Sequence, residues 1–327
     1  MSAETPVFLA PMAGITDAPA RAIALDWGAD RVVCEMVASA DMVHARPEAR
    51  LRAEIGNRPE RTAVQIAGRE AHWMAEAARL CAGQGARVID INFGCPAKRV
   101  TNGLSGSALM REPDRALGLI AAVVAAVAVP VTVKMRLGWD AAQMNAAEIA
   151  RRAEEAGVAA IAVHGRTRCQ FYRGRADWAA VAAVRAAVGI PVVVNGDIGD
   201  PADARTALAH SGADALMIGR AARGRPWMLG QVAASLRGAP VPPAPAGEAL
   251  RDLVCGHYAA MLGHYGTPLG VRVARKHLGW YLDGLAGAEA LRRRVLVADD
   301  PAAVMRDLYR GLGDMVPAEP RAARAAA

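Results

Sequence analysis

The chain has 327 residues, of which 53% are apolar and only 4% aromatic, enough for one large domain or two unequal ones with closely packed, Ala- and Val-rich helices. Its net charge of +7 favours a polyanionic partner without requiring one. Five scattered cysteines without a CxxC pair, no apolar run long enough for a membrane and no basic-then-apolar leader argue against a disulfide framework, a zinc site or a membrane anchor, and predict a cytoplasmic protein.

In chain order, Val7–Ala10 is a short apolar strand ending in Pro11-Met12-Ala13-Gly14, and Asp17 caps a helix with Pro19 in its first turn. Strands are expected at 31–36 and 62–66, a helix at 70–81, and a fourth strand at 87–91, rich in β-branched residues. That strand leads into Asn92-Phe93-Gly94-Cys95-Pro96 and a long polar loop, 98–107. Helices at 113–127, 145–156, 177–188 and 201–210 then alternate with strands at 131–135, 160–163, 192–194 and 215–218, and a last helix runs through Trp227 and Val232. Eight strand–helix units with continuous apolar strands predict a (β/α)8 TIM barrel over residues 1–236 rather than an open doubly wound sheet. A Pro-rich linker, 237–247, precedes a small all-α domain at 248–316, and 317–327 is expected to be a flexible tail.

In such a barrel the active site lies at the carboxyl ends of the strands. Collected there are Pro11, Met12 and Ala13, Glu35, Gln65, Asn92 with Cys95, Lys134 with Arg136, His164 with Arg166, Asn195-Gly196-Asp197, and Gly219-Arg220. Each has an ordinary reading as a turn, a surface charge or a satisfied buried group. From position alone, Cys95 reads equally as a buried hydrophobe or a reactive thiol. Gly196 and Gly219, with the helix start that follows, suit a phosphate, and Gln65, Lys134 and His164 suit the polar edge of a heteroaromatic ring. A phosphorylated planar cofactor such as flavin mononucleotide (FMN) fits; a dinucleotide fold does not, because no GxGxxG follows a strand.

The runs Ala10-Pro11-Met12-Ala13-Gly14-Ile15-Thr16-Asp17, Val64-Gln65-Ile66-Ala67-Gly68, Asp90-Ile91-Asn92-Phe93-Gly94-Cys95-Pro96, His164-Gly165-Arg166-Thr167-Arg168, Asn195-Gly196-Asp197-Ile198 and Gly219-Arg220-Ala221 together resemble the tRNA-dihydrouridine synthases, most closely the bacterial DusB-like branch. The resemblance covers the barrel in order and extends more weakly into the helices. It implies an FMN enzyme that uses NADPH to reduce the C5=C6 bond of particular tRNA uridines. It further implies that Pro11, Met12 and Ala13 line the flavin, that Gln65 and Lys134 bond its ring, and that His164, Asn195, Gly196, Asp197, Gly219 and Arg220 hold the ring edge, ribityl chain and phosphate. Cys95 is then the general acid, on a mobile loop, and Asn92 orients the uracil. The chemistry is consistent: hydride reaches C6 from one face, C5 takes a proton from the other, and a thiol of ordinary pKa, about 8.5, is mostly protonated at neutral pH.

A uridine inside folded tRNA must leave its stack to react. Candidate RNA contacts are Lys98 and Arg99, Arg166, Arg168, Arg173 and Arg175 interleaved with Phe171 and Tyr172, and Arg223 and Arg225. In the helical domain they are Arg272, Arg275 and Lys276, with Arg292, Arg293 and Arg294 forming another cluster. The competing readings are an FMN reductase of a small pyrimidine or enone, and a non-catalytic RNA-binding regulator. A monomer is expected.

Overall fold

The computed structural model describes residues 5–316, so the expected tail lies outside the described residues. Eight parallel strands close into a barrel: β1 (Val7–Leu9), β2 (Arg31–Val33), β3 (Thr62–Ala67), β4 (Ile89–Phe93), β5 (Val131–Arg136), β6 (Ala160–His164), β7 (Val192–Asn195) and β8 (Ala215–Ile218). Closure comes from β1 pairing with β8 on one side and β2 on the other, while β2 also pairs with β3. The expected strand 31–36 is shorter than its apolar run. Pairing lapses after Val33, where Glu35 turns to accept the Gly14 N–H, and resumes at Val37–Ala38 against Ile66 and Ala67.

Alternation along each strand explains both core and site. Val131, Val133 and Met135 of β5, Ile89, Ile91 and Phe93 of β4, and Ile161 and Val163 of β6 belong to the large apolar core that includes helix residues such as Met74 and Ile120. The alternate residues face the barrel axis. Near the amino ends these are small or apolar, with Val33, Ala162, Val193, Ala215 and Met217 forming a separate inner cluster with Phe8 and Ala63 packed on it. Towards the carboxyl ends the inner row becomes polar.

The helices α1 (Ala18–Asp26), α4 (Ala71–Gly83), α6 (Pro113–Ala126), α7 (Ala146–Glu155), α8 (Ala179–Ala187), α9 (Pro201–Ser211) and α10 (Met228–Leu236) surround the strands. Asp17 caps α1, its Oδ1 accepting the Ala20 N–H at 2.9 Å. Two short helices, α2 (Ser39–Val43) and α3 (Pro47–Ala53), fill a stretch left unassigned in the sequence. The expected polar loop 98–107 is also more structured. It contains α5 (Lys98–Thr101) and leads into a 3₁₀ turn, Gly106–Arg111, whose first five residues are buried.

Beyond an irregular stretch, 237–246, lie α11 (Gly247–Tyr265), α12 (Thr267–Asp283), α13 (Glu289–Val295) and α14 (Pro301–Leu312). They share their own apolar core, including Val254, Tyr258, Leu278, Leu291 and Leu308. They also dock on the barrel. The barrel's Trp227 enters their core with Trp27 packed against it, Tyr265 Oη donates to Asp17 at 2.9 Å, and Arg223 lies over the Trp280 ring at 5.0 Å.

At this seam His257 and His277 are buried with rings 5.0 Å apart. His257 Nδ1 bonds Tyr281 Oη at 3.1 Å, and both Nε2 atoms lack a partner among the described residues. Burial pushes His257 down to about 4 and His277 to about 2. Both are therefore neutral in the fold, whereas unfolded they protonate below about pH 6.5. The pair's contribution to stability should be flat above pH 6.5 and fall below it, His257 alone costing about 3 kcal/mol by pH 4. Denaturant melts from pH 7.5 to 4.5 check this: a His257→Phe, His277→Leu protein should show a shallower decline, and an unchanged slope would exclude the pair as its source.

Candidate active site

Strand register brings the polar inner row together. Gln65 pairs with Asp90, Asn92 with Lys134, Arg136 with His164, and His164 with Asn195. Above them opens a cleft of about 440 Å³ at the carboxyl ends of the strands. Pro11, Met12, Ala13, Gln65, Asn92, Cys95, Lys134, His164, Asn195, Gly196, Asp197, Gly219 and Arg220 all line it. Met36, Ile15 and Arg136, to which sequence reasoning gave no role, line it too.

The thiol is held through its backbone. Thr132 Oγ1 and Gln65 Nε2 donate to Asp90, at 2.5 and 2.7 Å, and Asn92 Nδ2 donates to Gln65 Oε1 at 2.8 Å. Asn92 Oδ1 then accepts from the N–H groups of Gly94 and Cys95, at 3.2 and 2.9 Å. On the other side, the Cys95 carbonyl accepts from Ser107 Oγ at 2.8 Å and from its N–H at 3.1 Å. Gly106 lets these segments meet: it has φ +59°, and a Cβ there would lie 3.0 Å from the Cys95 oxygen. Cys95 is half-buried, with its backbone bonded on both sides. Asn92 first shapes the cysteine turn, and both it and Gln65 retain one N–H for the cleft by donor count. Asp90 was not picked out as a site residue. Burial pushes its carboxyl up to about 6, while Gln65, Thr132 and Lys134 favour its charged form.

The opposite side is cationic. Lys134 Nζ donates to Asn195 Oδ1 at 3.0 Å, and Asn195 Nδ2 donates to the Met217 carbonyl at 2.7 Å. Burial, then the neighbouring Arg136, lowers Lys134 to about 8. Burial also holds His164 well below its usual value, with Lys134, Arg136, Arg166 and Arg220 adding repulsion, so the imidazole is neutral. Asp197, at φ +52°, spends its carboxylate on Arg166, on Arg220 at 3.2 Å and on the Ala176 N–H at 2.8 Å. Asp197 therefore acts on the cleft through its neighbours. An anion would offset this excess of positive charge, and the donors around it suit a ring edge. The residues present fit a phosphorylated planar group.

Gly196 makes the His164 side possible. Its φ is +116°, and a Cβ there would lie 2.8 Å from both Ala176 Cβ and His164 Cδ2. Gly196→Ala should cost about 1–3 kcal/mol through positive-φ strain and push the imidazole aside. The expected result is a lower melting temperature and a preparation depleted of bound cofactor, read from the ratio of visible to ultraviolet absorbance. Full cofactor content would show that the imidazole position is not needed.

The structure corrects part of the expected RNA surface. Arg166 is only 1% exposed. Its guanidinium bonds Asp197 with both arms and donates to the carbonyls of Arg173 at 3.2 Å and Gly174 at 2.5 Å. It has no surface to offer RNA, because a fixed carboxylate and two carbonyls consume its donors. Arg168 is half-buried, stacked between Trp139 at 4.6 Å and Phe171 at 4.7 Å. Arg275 is tied to Asp299 at 2.6 Å and to the Ala298 carbonyl at 3.2 Å, and Lys276 is half-buried beside Gly14. Lys98, Arg173, Arg175 and Arg272 are exposed, and the Arg99 side chain lies outside the described residues.

A (β/α)8 barrel with a thiol facing a cation-rich cleft at its catalytic end has the architecture of a barrel enzyme. A family model described as dihydrouridine synthase (Dus) matches residues 8–308. A probable tRNA-dihydrouridine synthase of Rhodobacter capsulatus is 58% identical over 305 residues, covering 92% of this chain and 93% of that one. Another from Rhizobium leguminosarum bv. phaseoli is 51% identical over 318 residues, covering 95% and 96%. The tRNA-dihydrouridine synthase B of Xanthomonas axonopodis pv. citri is 47% identical over 314 residues, covering 95% of each. The chain belongs to the dihydrouridine synthase family.

Proposed function

We propose that this protein is a cytoplasmic, FMN-dependent tRNA-dihydrouridine synthase that reduces the C5=C6 bond of specific uridines, with NADPH as the reductant. The observation that carries the reading is the meeting of Cys95 with Lys134, Asn195, His164 and Arg220 in one cleft, in a chain of this family. When bound, the flavin would supply hydride to C6 of the uracil.

The chain's own residues supply the rest. Cys95 holds the proton destined for C5, with its backbone fixed by Asn92 and Ser107. Lys134 and the remaining N–H of Gln65 meet the polar edge of the flavin ring, while Arg220, the neutral His164 and the Gly219 backbone bind its phosphate end. Pro11, Met12 and Ala13 form the apolar wall behind it. Of the expected contacts, Lys98, Arg173 and Arg175 at the mouth and Arg272 and Arg293 on the helices are exposed and can meet phosphates. None of the α-helices among the described residues is long and apolar enough to cross a membrane.

The test pairs a visible spectrum with an assay on tRNA from cells lacking the modification. The expected result is a yellow protein that consumes NADPH and forms dihydrouridine, with tRNA binding that weakens steeply with salt. A protein that cannot be loaded with FMN would overturn the reading. One that oxidises NADPH and leaves tRNA unchanged would point instead to a small-molecule reductase.

A further inference from the structure

One wall of the cleft is the loop from β1 to α1, which contributes Pro11, Met12, Ala13 and Ile15. Several contacts hold it. Thr16 Oγ1 accepts the Met12 N–H at 2.9 Å, and Arg21 Nη1 donates to the Thr16 carbonyl at 2.6 Å. At the loop's apex, Gly14 has φ +71° and donates its N–H to Glu35. Glu35 is 3% exposed and stands where β2 lapses.

Two further holds come from the helical unit. Tyr265, the last residue of α11, donates from Oη to Asp17 Oδ2 at 2.9 Å, the same Asp17 that caps α1. Lys276 of α12 brings Nζ to 3.2 Å from where a Cβ on Gly14 would stand, and with Arg52 it is one of the cations acting on Glu35. The cleft wall is therefore bonded to a barrel carboxyl on one side and, through Asp17, tied to the helices on the other.

We propose that Glu35 is a positioning residue for the reaction, and that Tyr265 and Lys276 act through the same loop. What binds the helical unit then sets the wall on which the cofactor lies. The proposal rests on the function proposed above. Glu35 does not line the cleft. It acts through Gly14 on Met12 and Ala13; burial pushes its carboxyl up and the Gly14 N–H draws it down, and in either form a carboxyl oxygen accepts that N–H.

The test uses the full-length flavin-loaded protein and tRNA lacking dihydrouridine. Glu35→Ala should lower kcat at least tenfold with KM for tRNA changed less than twofold. Glu35→Gln, whose amide oxygen can still accept the Gly14 N–H, should recover most of that loss. Tyr265→Phe removes one hydroxyl that bonds Asp17; it should lower kcat several-fold and blunt the shift of the flavin spectrum on adding tRNA. In flavin-free protein, hydrogen exchange across residues 11–17 should quicken at least tenfold in Tyr265→Phe. If Glu35→Ala fails to fold, Glu35→Gln and Tyr265→Phe carry the test. Wild-type exchange and kcat in Tyr265→Phe, or losses confined to KM, would overturn the proposal. A wild type with no flavin or no dihydrouridine would instead overturn the functional reading, and this proposal with it.

Discussion

Cys95→Ala is expected to lower dihydrouridine formation by about 10²- to 10⁴-fold, the range for removing a positioned general acid, and to leave the flavin bound. The geometry separates the two effects. The turn that presents residue 95 is held by backbone bonds, its N–H to Asn92 Oδ1 and its carbonyl to Ser107, and alanine keeps both. The cationic groups around the cofactor cleft stand on β5 and the loops after β6 and β8, and they bond Asn195 and Asp197 rather than the thiol. The variant should therefore stay yellow, take electrons from NADPH at the wild-type rate and stall with tRNA bound. Single-turnover reoxidation of the pre-reduced protein by tRNA, with dihydrouridine quantified by mass spectrometry, isolates the proton-transfer step. Turnover within a few-fold of wild type would remove Cys95 as the acid. Loss of colour would show that residue 95 supports the cofactor cleft instead. Asn92→Ala should lower the rate although the thiol itself is retained, because it frees the N–H groups of Gly94 and Cys95, breaks the link to Gln65 and so loosens the turn that presents residue 95.

The barrel was legible because its strands are buried on both faces and are short apolar runs cut off by Gly, Pro or Asn. The site was legible because a polar residue at the end of such a run faces the barrel mouth. What the sequence could not convey is how those residues pair. Gln65 suggests a ligand contact, yet it also joins Asp90 to Asn92 across strands 25 and 27 residues apart. Asp90 sits inside an apolar run, where nothing marks it as the anchor of the cysteine turn. The stretch 98–107 reads as an open polar loop because Lys, Arg, Asn and Ser dominate it. In the fold, the backbone of Gly106 and Ser107 returns to Cys95, a long-range closure with no periodicity to announce it. The short helices α2 and α3 escaped notice because neither is long enough to develop an amphipathic period, although Pro47 is at a favoured helix start. His257 and His277 gave no signal at all, since a lone histidine in a helix is equally at home on the surface.

Arg166 is the sharpest such case, and the second large effect expected. Arginine is ordinarily a surface residue, so an arginine at a strand end in a basic protein suggests RNA. Here the guanidinium is enclosed, bonded to Asp197, to the carbonyls of Arg173 and Gly174, and to His164 Nε2 at 3.3 Å. Among the described residues, Arg166→Met would leave the Asp197 carboxylate with Arg220 and the Ala176 N–H, and two carbonyls without these donors. Removing one partner of a buried pair costs about 3–5 kcal/mol. The Asp197 side chain is 26% exposed and can recruit water, which favours the lower figure. A loss of about 3 kcal/mol corresponds to roughly 6–12 °C in melting temperature for a domain of this size. Arg166→Lys should recover little of it, because an ammonium cannot reach two carboxylate oxygens and two carbonyls in one plane. The flavin should also be lost, since Asp197 would no longer hold Arg220 and the 173–175 segment in place beside His164. An RNA-contact role predicts the opposite pattern: an unchanged melt, full flavin content and tRNA affinity reduced with a salt slope smaller by about one. Thermal unfolding, flavin content and the salt dependence of tRNA binding, measured on the same two variants, therefore separate a buried strut from a surface contact.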